Sequence, residues 1–256
     1  MPLVLDSKFY KVKSTPVSKL YVGLIAMLVV SVVIYIASII MTNKLRTARK
    51  NPWIIENVRE ANKPLVLSQT IGEGNSIPIL RSSNEDDGIE FSYSFWIIIR
   101  DWRYKYGEWK HIFHKGNSTS WPNRAPGAWL HKTQNNMRIY MNVHNKVDEY
   151  VDINDIPINK WVHIVISVIG EDLDTYINGN LIKRHRLSGI PKQNFNNLNI
   201  TNFGGFGGFI GRFRYFSHAL SSVEIFDESK NVPPLSSIKI RTDEPPYLSY
   251  RWGENV

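Results

Sequence analysis

An all-β domain, a two-sheet antiparallel β-sandwich of jelly-roll type, standing behind one N-terminal transmembrane α-helix, is the fold class the sequence predicts. Three observations predict it. Residues 20–41 form an uninterrupted apolar run with no charge between Lys19 and Lys44. From Pro64 onward, short segments rich in β-branched and aromatic residues alternate with turn residues. Asn178-Gly179 separates two such segments and supplies the pair a type I′ hairpin needs, because both central positions take positive φ.

The first 19 residues are a basic tail, with Lys8, Lys11, Lys13 and Lys19 against Asp6. Residues 20–41 make a helix of about 33 Å at 1.5 Å per residue, enough to cross a hydrocarbon core of about 30 Å. Thr15-Pro16 suits its start, since threonine caps and proline fits the first helical position. A cleavable signal has an apolar region of only about 7–15 residues, so the run reads as a permanent anchor. An all-apolar circumference with basic residues at both ends argues against a buried soluble helix. Both flanks are basic, and the positive-inside rule gives no orientation.

Residues 42–63 form a basic, amphipathic stalk: Lys44, Arg46, Arg49 and Lys50 precede Trp53, Ile54, Ile55, Val58 and Ala61. Two forms are open to it, a short helix on an anionic membrane surface or a tether packed on the following domain.

The sandwich is predicted over residues 64–228. Strands are expected at 64–71, 77–81, 88–99, 109–115, 127–131, 137–143, 149–153, 160–169, 172–178, 181–182, 198–203 and 208–216, with a closing helical turn at 221–226. In the third, Phe91, Tyr93, Phe95 and Ile97 share one face while Ser92, Ser94 and Trp96 share the other. Residues 229–256 form a Pro-rich strap whose Tyr247, Tyr250 and Trp252 want a surface, on this domain or in a homo- or hetero-assembly.

Charge and composition exclude several function classes. The chain carries a formal +8, but its first fifty residues hold eight basic side chains against one acid, which leaves the rest nearly neutral. A neutral domain has no field to gather a polyanion, so nucleic acid is excluded as a partner. With no cysteine, there are no disulfides, thiolate metal sites or cysteine nucleophiles.

Phe91-Ser92-Tyr93-Ser94-Phe95-Trp96, residues 111–116 (HIFHKG), 159–164 (NKWVHI), 174–181 (DTYINGNL) and 209–221 (FIGRFRYFSHALS) are five landmarks in order. Together they resemble the laminin G-like domains of the concanavalin A-like lectin/glucanase superfamily. The resemblance implies the sandwich fold. For function it implies a range, because this architecture serves lectins, adhesion modules, glycan hydrolases and structural proteins.

Glycan hydrolysis of the laminarinase type would place two glutamates and an aspartate alternately on one strand. No strand carries that pattern, so an enzyme is not expected. His111 and His114 are three apart in a predicted strand and are expected on opposite faces, which leaves no zinc box. His163 matches a landmark histidine and reads as a packed core residue. Residues 202–209 (NFGGFGGF) read as a glycine-permitted turn pinned by Phe203, Phe206 and Phe209, since no phosphate-loop spacing can be drawn through them.

The candidate ligand-binding residues are Trp121, Arg124, Trp129 and His131, in and after the distinctive loop NSTSWPNRAPGAW. Aromatic faces stack on sugars, and an arginine grips a carboxylate or hydroxyl. No cofactor is required. The resemblance makes calcium conceivable at Asp148, Asp152 and Asp155, or at Glu85, Asp86 and Asp87. Asn117 and Asn199 head glycosylation sequons that matter only for a lumenal domain. The expected function is that of a membrane-anchored, non-catalytic binding or scaffold protein holding a glycan or protein partner near the bilayer. In style it resembles a virion component joining an internal membrane to a capsid. The alternative is a carbohydrate-binding lectin or degenerate glycan hydrolase.

Overall fold

The computed structural model describes residues 16–80, 82–85 and 88–234. Two compact units divide at Thr47/Ala48. The first holds most of a helix, α1 (Pro16–Lys50), whose apolar stretch Lys19–Leu45 has a mean hydropathy of 2.9. Its few hydroxyls do not interrupt the apolar surface, because each bonds back to its own helix: Ser31 to the Leu28 carbonyl, Ser38 to that of Tyr35, and Thr42 to that of Ser38.

The second unit is a two-sheet sandwich. The larger sheet runs β1 (Trp53–Ile55), β14 (Gly207–Phe216), β5 (Gly88–Asp101), β10 (Val162–Ile169), β11 (Asp172–Ile177) and β12 (Asn180–Arg186). Short β2 (Arg59–Glu60) pairs with β14, and β4 (Ser83–Glu85) pairs with β5. The smaller sheet runs β3 (Leu65–Leu67), β13 (Leu198–Ile200), β6 (Lys110–Gly116), β7 (Arg124–Leu130), β8 (Asn136–Met141) and β9 (Glu149–Asn154). All these pairings are antiparallel.

The period-two reading of β5 holds. Phe91, Tyr93, Phe95, Ile97 and Ile99 face the core, where they meet Phe113, Phe213 and Tyr215 as a cluster of tilted and edge-on rings. On the opposite face Ser92 donates to Ser167 at 2.9 Å, while the Ser94 hydroxyl pairs at 2.8 Å with the His163 ring, which lies beside Trp96. His163 is thus the packed histidine expected. The hairpin is also as expected, with Asn178 and Gly179 at φ 51° and 83°.

Three boundaries differ from the sequence reading. The sandwich begins at β1, not Pro64, so most of the stalk belongs to the sheet. Trp53 pairs with Arg214, whose guanidinium stacks over the Trp53 ring and bonds the Asn51 carbonyl. The predicted strand at 77–81 is not one over residues 77–80: there Gln69 takes the backbone groups of Ile77 and Ile79 with its side chain instead. The closing helix, α2 (Ser222–Lys230), is longer than one turn. A capping box between Ser221 and Glu224 starts it, and Ile225 packs with Val165, Phe216 and Leu220 on the outside of the larger sheet. Of the strap, residues 235–256 lie outside the described residues.

The glycine run is a close crossing of chains. A Cβ on Gly205 would lie 1.8 Å from the Ala61 carbonyl oxygen, and one on Gly208 would lie 1.9 Å from that of Ile98. Phe206 is fully buried in that turn, whereas Phe203 turns outward. One polar latch joins the sheets at their edge: Glu149 on β9 accepts from the N–H and O–H of Ser188 and pairs with His185 on β12. Burial alone would raise the Glu149 pKa, but these donors hold it below the ordinary carboxylate value.

Candidate functional site

The outer face of the smaller sheet collects most of the residues with binding chemistry. On β8 and β9, Met137, Ile139, Val151 and Ile153 point inward, so Arg138, Tyr140, Tyr150 and Asp152 point out. Cross-strand register sets Trp129 beside Arg138, Tyr140 beside Tyr150, and Arg138 beside Asp152. Gly127 leaves room for the Trp129 ring, which would lie 2.4 Å from a Cβ there.

Two arginines lie flat on this aromatic surface. The Arg124 guanidinium carbon is 3.6 Å from the Tyr140 ring centre and about equally far from Trp121 (5.5 Å) and Trp129 (5.6 Å). Its Nε is buried without a hydrogen-bond partner, and burial pulls its pKa below the usual arginine value. Arg138 lies 3.8 Å from the Tyr150 ring centre and makes a bidentate pair with Asp152, both bonds 2.7 Å. That pair holds the Arg138 pKa above its ordinary value. The two guanidiniums therefore differ: one is neutralised, and the other has no carboxylate bonded to it among the described residues.

Beneath them lies a pair of buried histidines. The sequence reading put His111 and His114 on opposite faces, and the structure corrects this. A bulge in β6 pairs His111 with Trp129 and Phe113 with Ala128, so Ile112 and Phe113 both enter the core and His114 returns to the face of His111. Their bonding fixes both tautomers. The Asn202 N–H donates to His111 Nδ1 at 2.9 Å, so His111 Nε2 carries the proton and donates to His114 Nδ1 at 2.7 Å. His114 Nε2 then donates to the Asn117 carbonyl at 2.8 Å. The Trp129 and Phe203 rings both lie nearly parallel to His114. With every ring nitrogen engaged, the pair is neither a proton shuttle nor a metal ligand.

Trp121 is 54% exposed and Tyr150 47% exposed, so both rings are open to solvent. Trp129 is buried and supports the face from below. His131 takes the backbone N–H groups of Thr133 and Gln134 with Nδ1 and packs edge-on against Trp109, next to Arg138. Sequence reasoning missed Arg138, Tyr140, Tyr150 and Phe203. Alternation within 138–140 and 150–152 carried a signal for the first three, whereas Phe203 reaches the face only through the bulge and the glycine turn.

Asp148, Asp152 and Asp155 do not form the calcium site conceived for them. Asp152 is held by Arg138, and Asp155 sits beyond the end of β9 in a left-handed turn at φ 58°. Among the described residues no three His, Asp or Glu side chains gather to hold a metal. The alternative cluster falls at Asp86 and Asp87, outside the described residues, with Glu85 beside them. Asn199 is also corrected as a glycosylation site: it is buried, with its amide bonded to Gly116, Asn197 and Asn202. The Asn117 amide is engaged by Trp121, Asn123 and Asn196.

Comparison with known proteins agrees with the fold. No curated protein matches the chain. Solved structures that match the chain include the binding domain of botulinum neurotoxin serotype G, with 17% identity, a TM-score of 0.48 and coverage of 69% of this chain and 45% of that one. The receptor-binding domain of the botulinum neurotoxin C/D mosaic serotype has 18% identity, a TM-score of 0.45 and coverage of 56% and 36%. The chain thus spans less than half the length of either. The family profile described as the concanavalin A-like lectin/glucanases superfamily matches residues 72–226, and the chain belongs to that superfamily as one of its laminin G-like domains.

Proposed function

We propose that this protein is a membrane-tethered, non-catalytic binding module that holds a protein partner on the outer face of its smaller sheet. The observation that carries this reading is Arg124: a half-buried guanidinium between Trp121, Trp129 and Tyr140, with an unpartnered Nε and no bonded carboxylate. Tryptophan, tyrosine and arginine in a desolvated cluster are the side chains that dominate protein–protein hot spots. A partner carboxylate beside an apolar group would satisfy the guanidinium and cover the rings. Absence of catalysis is supported by the carboxylates: the six strands of this sheet carry only Glu149 and Asp152, on opposite faces and each already bonded. The apolar α1 supplies the tether, and in a virion such a module would join an internal membrane to the capsid.

A glycan is the second reading, favoured by the exposed Trp121 ring with Arg124 behind it, a pairing suited to stacking on a sugar and bonding its hydroxyls. One experiment separates the two. Full-length protein in nanodiscs, wild type and Arg124→Met, is applied to a broad glycan array, and a photo-crosslinker placed at Tyr150 is activated in the native membrane. A specific protein adduct lost in Arg124→Met supports the leading reading. Saturable glycan binding lost in that variant moves the assignment to a lectin; a protein adduct that survives the substitution refutes Arg124 as the anchor, and glycan binding that survives it, with no adduct at Tyr150, refutes this face as the site.

A further inference from the structure

A second, separate feature lies at one end of the sandwich, where a cavity opens between the two sheets. Its floor is apolar, formed by Ile89 and Phe91 of β5 with Ala125 of β7, and Leu80 and Phe195 flank it. Phe195 is 74% exposed, a large apolar ring left in solvent. The cavity is open to solvent on one side, and about 40 Å³ of it admits the centre of a water-sized group, enough to hold a small molecule.

Two buried polar groups line this space without a full set of partners. Lys115 is only 6% exposed. Its ammonium has three donors, and the one bond it makes is to the Asn196 carbonyl, at 2.7 Å. Tyr93 is 2% exposed, and its hydroxyl makes no hydrogen bond among the described residues. The neighbouring phenol differs, because Tyr215 donates to the Leu80 carbonyl at 3.3 Å. A second lysine, Lys192, stands in the lining, and among the described residues no carboxylate does. Burial with no counter-charge pushes the Lys115 amine down to about 8. An ammonium with free donors beside a phenol, with no acid among the described lining residues, leaves donors facing the cavity for an acceptor to take up.

We propose that this cavity binds a short-chain aliphatic carboxylate, with its oxygens accepting from Lys115 Nζ and Tyr93 Oη and its alkyl group against Phe91 and Leu80. A carboxylate supplies the missing negative charge and the acceptors that two donors require. The small volume favours a short chain, and the apolar floor favours an alkyl group. The site is distinct from the aromatic face and does not depend on the function proposed there.

The test uses the full chain in nanodiscs with butyrate as probe. Lys115 modification by an amine-reactive reagent at pH 8 is followed by peptide mass spectrometry. Butyrate is expected to protect Lys115 saturably, by tenfold or more, while sodium chloride and 1-butanol at equal concentration do not. Tyr93→Phe keeps the ring that packs against Phe113 and Tyr215 and removes only the hydroxyl, so it is expected to fold and to raise the half-protecting concentration several-fold. Lys115 also anchors the 194–196 segment, through Asn194 and Asn196, and for that reason the phenol variant is decisive. Absence of protection overturns the proposal and leaves a water-filled structural cavity. Equal protection by chloride or butanol, or an unshifted midpoint in Tyr93→Phe, overturns it as well.

Discussion

His111, His114 and His163 are each held neutral by burial, and their pKa values lie below the ordinary 6.5, that of His163 at about 4. For His111 a second cause is the neighbouring His114; for His114 the Arg124 charge acts in the same direction. In an unfolded chain the three would titrate near 6.5. Above that pH neither state binds protons at these sites and stability is unaffected. As the pH falls below it, the unfolded chain takes up protons that the folded chain refuses, so stability declines until the folded values are reached. Each histidine contributes a slope of about 1.4 kcal/mol per pH unit over its own window. The urea midpoint of the protein is therefore expected to change little from pH 8 to 7 and to fall steeply between pH 6 and 4.5. His163→Gln, which keeps an amide for Ser94, should lessen that slope. A midpoint that rises on acidification would contradict neutral burial of all three.

At the level of elements, what the sequence disclosed and what it hid follow from how local the cause is. Strand β5, the 178–179 hairpin and the capped start of α2 are set by alternation, positive φ and a serine with a glutamate three residues on, all readable within a few positions. The β6 bulge is not, because Ile112 and Phe113 are both apolar and only the partner β7 shows that they occupy one step of register. The strands β1 and β2 were hidden for the same reason: three residues of Trp-Ile-Ile are a strand only because β14 is there to pair with them. Of the candidate site, the Trp121 to Trp129 loop was legible as a composition, while the tyrosines and Arg138 emerge from sheet packing. Helix α2 offers a test of scale. Removing its cap by Ser221→Ala should cost about 1 kcal/mol, whereas Ile225→Ala empties the small cluster with Val165, Phe216 and Leu220 and should cost about 2–4 kcal/mol. Denaturant titration ranks the two, and equal losses would mean that α2 rests on its cap and not on its packing. Gly208→Ala should be worse than either, at about 3 kcal/mol or more, since its Cβ meets the Ile98 carbonyl inside the β14–β5 pairing.

For the whole molecule, the composition splits at the point where the two compact units divide. One unit is a helix whose large side chains, from Leu20 to Met41, are mostly exposed on every side. The other buries its apolar residues in a continuous core between two sheets. Water cannot accommodate the first, since an exposed surface of that size drives association, and a bilayer accommodates it without a partner. The second has a complete core without any residue of the helix in it, so it is expected to fold alone. Chain from Ala48 onward should accordingly be soluble and give a β-type circular dichroism spectrum with one cooperative melt. If α1 is an anchor, the full chain should sediment with membranes and stay there through high salt and alkaline carbonate, since hydrocarbon and not its lysines would hold it. Its mass decides between anchor and signal. A carbonate-resistant species of 29.6 kDa retains the helix. A shorter species released into the soluble fraction would show that the segment is cleaved, and the module would then act untethered.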